Sequence, residues 1–209
     1  MLRFSSMRLG IVSDIHCNID ALKLALERMG PIDELLCAGD AFYEYRFSNE
    51  VIELLRERGA KYVLGNHENV LLGASGVRAR EAATVRQENV DWVRAQPWSI
   101  EVDVGGKRLV MVHASPLEPF TQYVYPNSPE LRRLSQIEAD YVILGHTHTQ
   151  MAERVGRALV INPGSTGEAR DVANGRRLSY AVLDTSSDEL LFDNFIPGDG
   201  TTPEFVRWE

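Results

Sequence analysis

Tyr141–His148 reads YVILGHTH: four apolar residues suited to a buried strand, then a glycine, then two histidines spaced i, i+2. Alternate residues of an extended chain point the same way, so His146 and His148 can face one spot together. Gly145 lets backbone come close or turn. Neutral imidazole is the commonest metal ligand among side chains, so the stretch reads as a strand delivering paired donors to a metal; the plainer alternative is a strand ending in a polar turn. Asp14-Ile15-His16 repeats the spacing with a carboxylate in place of one imidazole. The chain has five histidines, at 16, 67, 113, 146 and 148, and each is read as ending an apolar strand. Histidines without a shared role would scatter over helices and loops as well. Asp14, Asp40 and Asn66 stand at equivalent places, and this oxygen and nitrogen set without thiolate suits manganese, iron, nickel or zinc.

The elements that must position these residues follow from hydrophobic pattern. Residues 8–13 predict a first strand ending at Asp14. Asn18 caps a helix whose stripe is Ile19, Leu22, Ala25, Leu26 and Met29, stopped by Gly30-Pro31. Glu34–Ala38 predicts a second strand running into Gly39-Asp40, Asn49–Arg58 a second helix, and Tyr62–Leu64 a third strand opening into Gly65-Asn66-His67-Glu68. Such βαβ units make a parallel sheet, whose strands end along one edge where ligands bind. Asp14, His16, Asp40, Asn66 and His67 should therefore converge. Residues 70–96 are helical in character and closed by Pro97. Ser99–Val104 and Lys107–Val112 form a hairpin around Gly105-Gly106, the second strand ending at His113. Residues 115–129, rich in proline and holding Tyr123 and Tyr125, form a loop of the kind that carries selectivity beside a site. Leu131–Glu138 predicts a short helix before Tyr141–Leu144. The remainder is all-β: Ala152–Val155 with Ala158–Ile161, then Ser179–Leu183 with Glu189–Phe195, the hairpins separated by the turn Asn162-Pro163-Gly164-Ser165. Residues 196–209 read as a tail that Phe205 and Trp208 could anchor. No internal linker separates two units, so 1–209 is expected to be one domain of two sheets, its core spanning about 8–195.

With 209 residues, 44% apolar and 25% charged, the chain has ample material for a core. A net charge of -8 argues against a general nucleic-acid or acidic-membrane surface, although a bound metal can reverse the local sign. Cys17 and Cys37 make neither a metal spacing nor a disulfide framework, which suits a reducing compartment. The first residues, MLRFSSM, contain no apolar run of signal-peptide or membrane length, and Met7 is an alternative start. A cytoplasmic protein is expected.

Taken in order, DIH, GD, GNHE, H and GHTH resemble the signature of the calcineurin-like metallophosphoesterase superfamily, over about residues 8–184. The flanking SDIHCNIDAL, NEVIELLRERGA and NPGS look like its small bacterial and archaeal phosphodiesterase branch. The resemblance implies an α/β sandwich of two sheets flanked by helices and a metal-dependent hydrolase of phosphodiesters. It implies two divalent metal ions, manganese foremost, with Asp14, His16, Asp40 and His148 on one and Asp40, Asn66, His113 and His146 on the other. A bridging hydroxide would attack the phosphorus. His67 would protonate the leaving oxygen as a catalytic residue, without binding metal. Arg170, beyond the NPGS turn, could bind a substrate phosphate by paired hydrogen bonds. The implied substrate is a phosphorylated small molecule or a nucleotide, with no membrane partner, nucleic acid not favoured, and a homodimer expected by analogy. A phosphomonoesterase, a dinucleoside polyphosphate hydrolase and a nucleotide-binding protein remain alternatives, as does a scaffold such as the retromer subunit of this fold.

The sequence departs from the pattern at particular places. Glu68 stands where aspartate is usual, Cys17 replaces a frequent glycine, and the GDxVDRG stretch of protein serine/threonine phosphatases is absent. In its place Phe42, Tyr43, Tyr45 and Arg46 either reshape the pocket or pack beneath the second helix.

Overall fold

A computed structural model describes residues 6–198 and the backbone of 205–207. The chain opens with β1 (Arg8–Val12), α1 (Ile19–Met29), β2 (Glu34–Cys37), α2 (Asn49–Glu57) and β3 (Lys61–Tyr62). The strands pair in parallel, with Val12 opposite Cys37 and Cys37 opposite Tyr62. Their short apolar runs suit strands covered on both faces. The Asn18 side chain accepts from the Ala21 N–H at 3.1 Å, and Ala21, Leu22, Ala25, Leu26 and Met29 form the buried stripe of α1.

Three helical segments follow: α3 (Asn66–Leu72), α4 (Val77–Arg80) and α5 (Gln87–Arg94). The second sheet contains β4 (Ser99–Asp103), β5 (Arg108–Val112), β6 (Tyr141–Ile143), β7 (Gln150–Val155) and β8 (Ala158–Pro163), ordered β4-β5-β6-β8-β7. Here β5, β6 and β8 run parallel, and α6 (Pro129–Arg133) precedes β6. The chain then returns to the first sheet through β9 (Leu178–Asp184), β10 (Glu189–Phe195) and β11 (Phe205–Arg207), giving the order β11-β10-β9-β1-β2-β3.

Period-two alternation divides the strand residues between layers. Leu9, Ile11 and Leu36 meet Leu109, Met111, Ile143 and Ile161 in the core between the sheets. Val12 and Cys37 face outward onto Leu22, Leu26, Val51 and Leu55 of α1 and α2. On the far side Val110, Val142 and Val160 receive Leu131 and Leu134. Each fully buried aliphatic side chain stabilises the fold by about 1.5–3 kcal/mol. This is the expected two-sheet sandwich with helices on its outer faces. Both free cysteines are buried within it, and burial pushes both thiols above their ordinary range, so they pack as small apolar residues.

Three expectations need correction. The helical stretch at 70–96 is three short segments, interrupted around Gly73-Ala74-Ser75-Gly76 by a 3₁₀ turn. The third strand stops at Tyr62, so His67 lies in the first turn of α3 and not on a strand end. The segment read as a tail contains β11, whose three residues pair antiparallel with Leu191–Asp193 along the edge of β10. The anchoring expected of the Phe205 and Trp208 side chains lies outside the described residues. Among those residues no helix is long and apolar enough to cross a membrane.

Glu68 locks the ends of β2 and β3 together. Its fully buried carboxylate accepts from the backbone N–H groups of Asp40 (3.0 Å), Ala41 (2.9 Å) and Gly65 (2.7 Å), and from the Tyr62 hydroxyl (2.6 Å). The Gly65 bond is the returning half of a capping box. Burial, reinforced by the Asp40 charge, raises the Glu68 carboxyl to about 7. Replacing it by alanine strands four donors in the interior. Glu68→Ala is expected to lower the unfolding free energy by about 3 kcal/mol or more, read from urea denaturation; a loss below about 1 kcal/mol would show that the loops hold without it.

Candidate metal centre

The two sheets present their strand ends side by side, and the polar residues read from the sequence meet there. Asp14 and His16 leave β1, Asp40 follows β2, Asn66 and His67 open α3, His113 follows β5, and His146 and His148 follow β6. Asp14, His16 and His148 offer donor atoms within 4.8 Å of one another, as do Asp40, His113 and His146. A third such set, His16, Asp40 and His67, joins the two. Asn66 Oδ1 lies 3.0 Å from His113 Nε2, which is also 3.1 Å from Asp40 Oδ2. His16 Nε2 and His148 Nε2 approach to 3.1 Å, and the latter lies 3.3 Å from Asp14 Oδ1.

Glycine permits this density. A Cβ on Gly145 would lie 2.0 Å from Ser13 Oγ and 2.9 Å from Asp14 Oδ2, so any side chain there would drive β6 away from β1. The backbone is bent as well as close. Asp14 (φ 52°), His16 (47°), Asp40 (53°), His146 (68°) and His148 (57°) all occupy the left-handed region. Asp and His tolerate it better than most residues, yet such positions cost of order 1–3 kcal/mol each unless the surroundings hold them. The surroundings do hold them. The Ser165 hydroxyl donates to the Asp14 carbonyl at 2.7 Å, the Thr166 N–H donates to the Ser13 carbonyl at 2.9 Å, and Asn162 Nδ2 donates to the Gly145 carbonyl at 2.6 Å. Asn162 and Pro163, read from the sequence as part of a turn, end β8, and Asn162 with Ser165 and Thr166 just beyond it braces both ligand-bearing loops.

Charge and protonation are arranged for a cation. Burial opposes ionisation of Asp14 and Asp40, but surrounding histidines outweigh it: hydrogen bonding to His148 and the charges of His113, His148 and His16 for Asp14, and chiefly His113 for Asp40. Both carboxyls are held below their usual range. Burial lowers His146 to about 4, helped by the His113 charge, so its imidazole is neutral at physiological pH. Burial also depresses His16. Burial alone would lower His113 too; the Asp40 and Asp14 charges overcome it and raise the group to about 10. Its Nδ1 sits 2.7 Å from the Ala38 carbonyl, which turns Nε2 inward. In metal-free protein a proton on His113 supplies the positive charge that the carboxylates require. His146 Nε2 is buried without a hydrogen-bond partner, and buried Asp14 Oδ1 has only the long 3.3 Å approach of His148 Nε2. Buried polar atoms without partners are costly, and an all-nitrogen-and-oxygen donor set around them fits a divalent cation of the manganese, iron, nickel or zinc type.

The rim adds residues that spacing alone did not single out as site residues. Glu168 Oε2 lies 3.5 Å from His148 Nδ1 and 3.7 Å from His16 Nε2. Arg170 sits beside it, its guanidinium 2.7 Å from that carboxylate and largely exposed, so it borders the site through Glu168. Tyr43 stacks on His16 with centroids 4.7 Å apart, and its hydroxyl donates to Glu168 at 3.2 Å. Glu44 places Oε2 3.0 Å from His67 Nδ1, while His67 Nε2 lies 3.5 Å from Asp40 Oδ2. The Phe42–Arg46 loop therefore divides its work: Phe42 is fully buried beneath α2, whereas Tyr43 and Glu44 reach the site. On the opposite side Tyr123 stacks on His146. Glu168 follows the recognisable NPGS turn and Tyr123 lies in the proline-rich loop expected to border the site, signals that were available; Glu44 had none.

The chain is similar to known proteins in sequence and in fold. The chain is 26% identical over 206 aligned residues to the uncharacterized protein MJ0912 of Methanocaldococcus jannaschii, covering 84% of this chain and 82% of that protein. Its fold is similar to a metallophosphoesterase from Sphaerobacter thermophilus, with TM-score 0.75, 24% identity, and 95% and 91% of the two chains covered. A structure described as a novel archaeal phosphodiesterase is also similar, with TM-score 0.59, 22% identity, and 90% and 100% covered. The family model of the calcineurin-like phosphoesterase superfamily domain matches residues 7–188, a span that includes every donor described above. The chain belongs to the calcineurin-like phosphoesterase superfamily.

Proposed function

We propose that this protein hydrolyses phosphodiesters at a dinuclear metal centre, with manganese as the best-suited cation. The observation that carries the reading is the pair of buried donor triads, Asp14-His16-His148 and Asp40-His113-His146, in which His146 Nε2 has no hydrogen-bond partner and Asp14 Oδ1 only a long contact to His148. Asp14, His16, Asp40 and His148 would hold one cation, and Asp40, Asn66, His113 and His146 the other. When bound, two divalent cations supply an acidified water and offset the charge of the phosphoryl oxygens. Four positive charges against the two ligand carboxylates leave +2 among the ligands, an excess that the rim charges of Glu168 and Glu44 reduce and Arg170 partly restores, so an anionic ester is drawn in although the chain carries -8.

The chain's own residues supply orientation and proton transfer. Glu44 stands 3.0 Å from the Nδ1 side of the His67 ring, and Nε2, on the side of Asp40, would deliver a proton to a departing oxygen. Glu168 is held in its ionised range: burial opposes this, but hydrogen bonding to Arg170 prevails. Its negative charge at the rim is better tolerated by a monoanionic diester than by a dianionic monoester, which supports the diester reading over the phosphomonoesterase alternative. Arg170 would meet a substrate phosphate by exchanging its Glu168 contact for the ligand. A purely scaffolding role would give no reason for a complete donor set accompanied by a positioned His67.

The direct test is hydrolysis of a chromogenic phosphodiester beside the matching monoester, using chelator-stripped protein refilled with manganese. Faster diester turnover that vanishes on stripping is expected; faster monoester turnover would transfer the assignment to a phosphatase, and no turnover with metal bound would favour a binding protein. Asp40→Ala is expected to lose metal and activity together, metal content falling with an affinity loss of at least about 10-fold. His67→Ala should retain its metal by elemental analysis while kcat falls about 10²–10⁴-fold, most for poor leaving groups; metal loss in that variant would contradict its role. Arg170→Ala should raise KM with metal content unchanged, and an unchanged KM would remove Arg170 from the site.

A further inference from the structure

The loop between β5 and α6 carries an aromatic platform that the hydrolytic reading leaves unused. Residues 123–125 read Tyr-Val-Tyr, and the alternation is realised in space. Val124 is buried at 2% exposure against the outer face of the second sheet, while Tyr123 and Tyr125 are 52% and 45% exposed on the other side. Their rings are nearly parallel, 6° apart in plane with centroids 6.0 Å apart. Tyr123 in turn stacks on the candidate ligand His146, at 4.1 Å and 27°. The platform therefore starts at the metal centre and runs outward from it.

The loop is held in place by more than Val124. Phe120 packs edge-on against Trp98 with centroids 4.4 Å apart, fixing the segment that leads into the tyrosines. Large rings on an anchored backbone lose little freedom when a ligand settles on them. Exposed aromatic faces beside an anion site are the arrangement that binds a flat group tethered to a phosphate, because stacking needs only a π-face and tolerates its identity.

We propose that Tyr123 and Tyr125 form the subsite for a planar aromatic group of the phosphoester substrate, a nucleobase or an aryl ester, and so set its selectivity. The proposal rests on the phosphoesterase reading for the location of the phosphate. Tyr123 meets the part of the group nearest the phosphoryl centre, through its contact with His146, and Tyr125 extends the surface away from it.

Calorimetry with the manganese-loaded protein tests this without turnover. Adenosine 5′-monophosphate and ribose 5-phosphate share phosphate and sugar and differ by the base; phenyl phosphate and glycerol phosphate make the corresponding aryl pair. The wild type is expected to prefer the aromatic member of at least one pair by about 10-fold, and the pair showing the preference identifies the source. The Tyr123→Ala/Tyr125→Ala variant should bring the two members of that pair to within about twofold of each other, whereas Tyr123→Phe/Tyr125→Phe should keep the preference, since the π-faces remain. A wild type without preference in either pair, binding of none of the four compounds, or a preference that survives the alanine changes would overturn the subsite. A preference for the aromatic member with no ester hydrolysed would leave the subsite standing and overturn the phosphoesterase reading instead.

Discussion

Two ionised carboxylates, Asp14 and Asp40, are buried where the two sheets end, and the local structure is built around tolerating them. Like charges in an interior repel strongly and lose their hydration, so they persist only where positive charge or donors surround them. Here backbone N–H groups of His146 and His67 donate to Asp14 and Asp40, at 3.1 and 3.0 Å, while five histidine side chains crowd the same space. The left-handed bends at Asp14, His16, Asp40, His146 and His148 aim the donors inward at a conformational cost. The brace from Asn162 and Ser165, and the clamp from buried Glu68, fix the bent loops against relaxation.

The sandwich explains why a site of this kind can be assembled at all. Parallel β1, β2 and β3 deliver one half of the donors and parallel β5 and β6 the other, with the inter-sheet core of Leu9, Ile11, Met111, Ile143 and Ile161 keeping the two edges in register. Each half is rigid up to the last strand residue, and only the short loops beyond are specialised. That division lets the packing remain ordinary while the loops carry strain, close approach at Gly145, and charge.

Much of this was legible in the sequence because strand ends are legible. Apolar runs stopping at Asp14, Asp40, His113 and His146 predict both the sheet elements and their convergence, and the ordered motifs single out the family. What escaped has physical causes. The apolar run Tyr62–Leu64 places His67 at a strand end, whereas the Glu68 side chain, accepting from the Gly65 N–H, starts α3 immediately beyond it. Glu68 departs from the usual aspartate; its carboxylate is consumed by four interior donors and never reaches the rim. Residues 70–96 have helical composition, but Gly73 and Gly76 break the run. Glu44 acts across a long sequence separation from a loop, where no periodicity reports which way a side chain points.

The most direct measurement of the central claim is anomalous diffraction from crystals grown with manganese. Two manganese peaks are expected among Asp14, His16, Asp40, Asn66, His113, His146 and His148, both contacted by the Asp40 carboxylate, with His67 bound to neither. A single peak, or two peaks that do not share Asp40, would contradict a dinuclear centre built on the buried carboxylate pair.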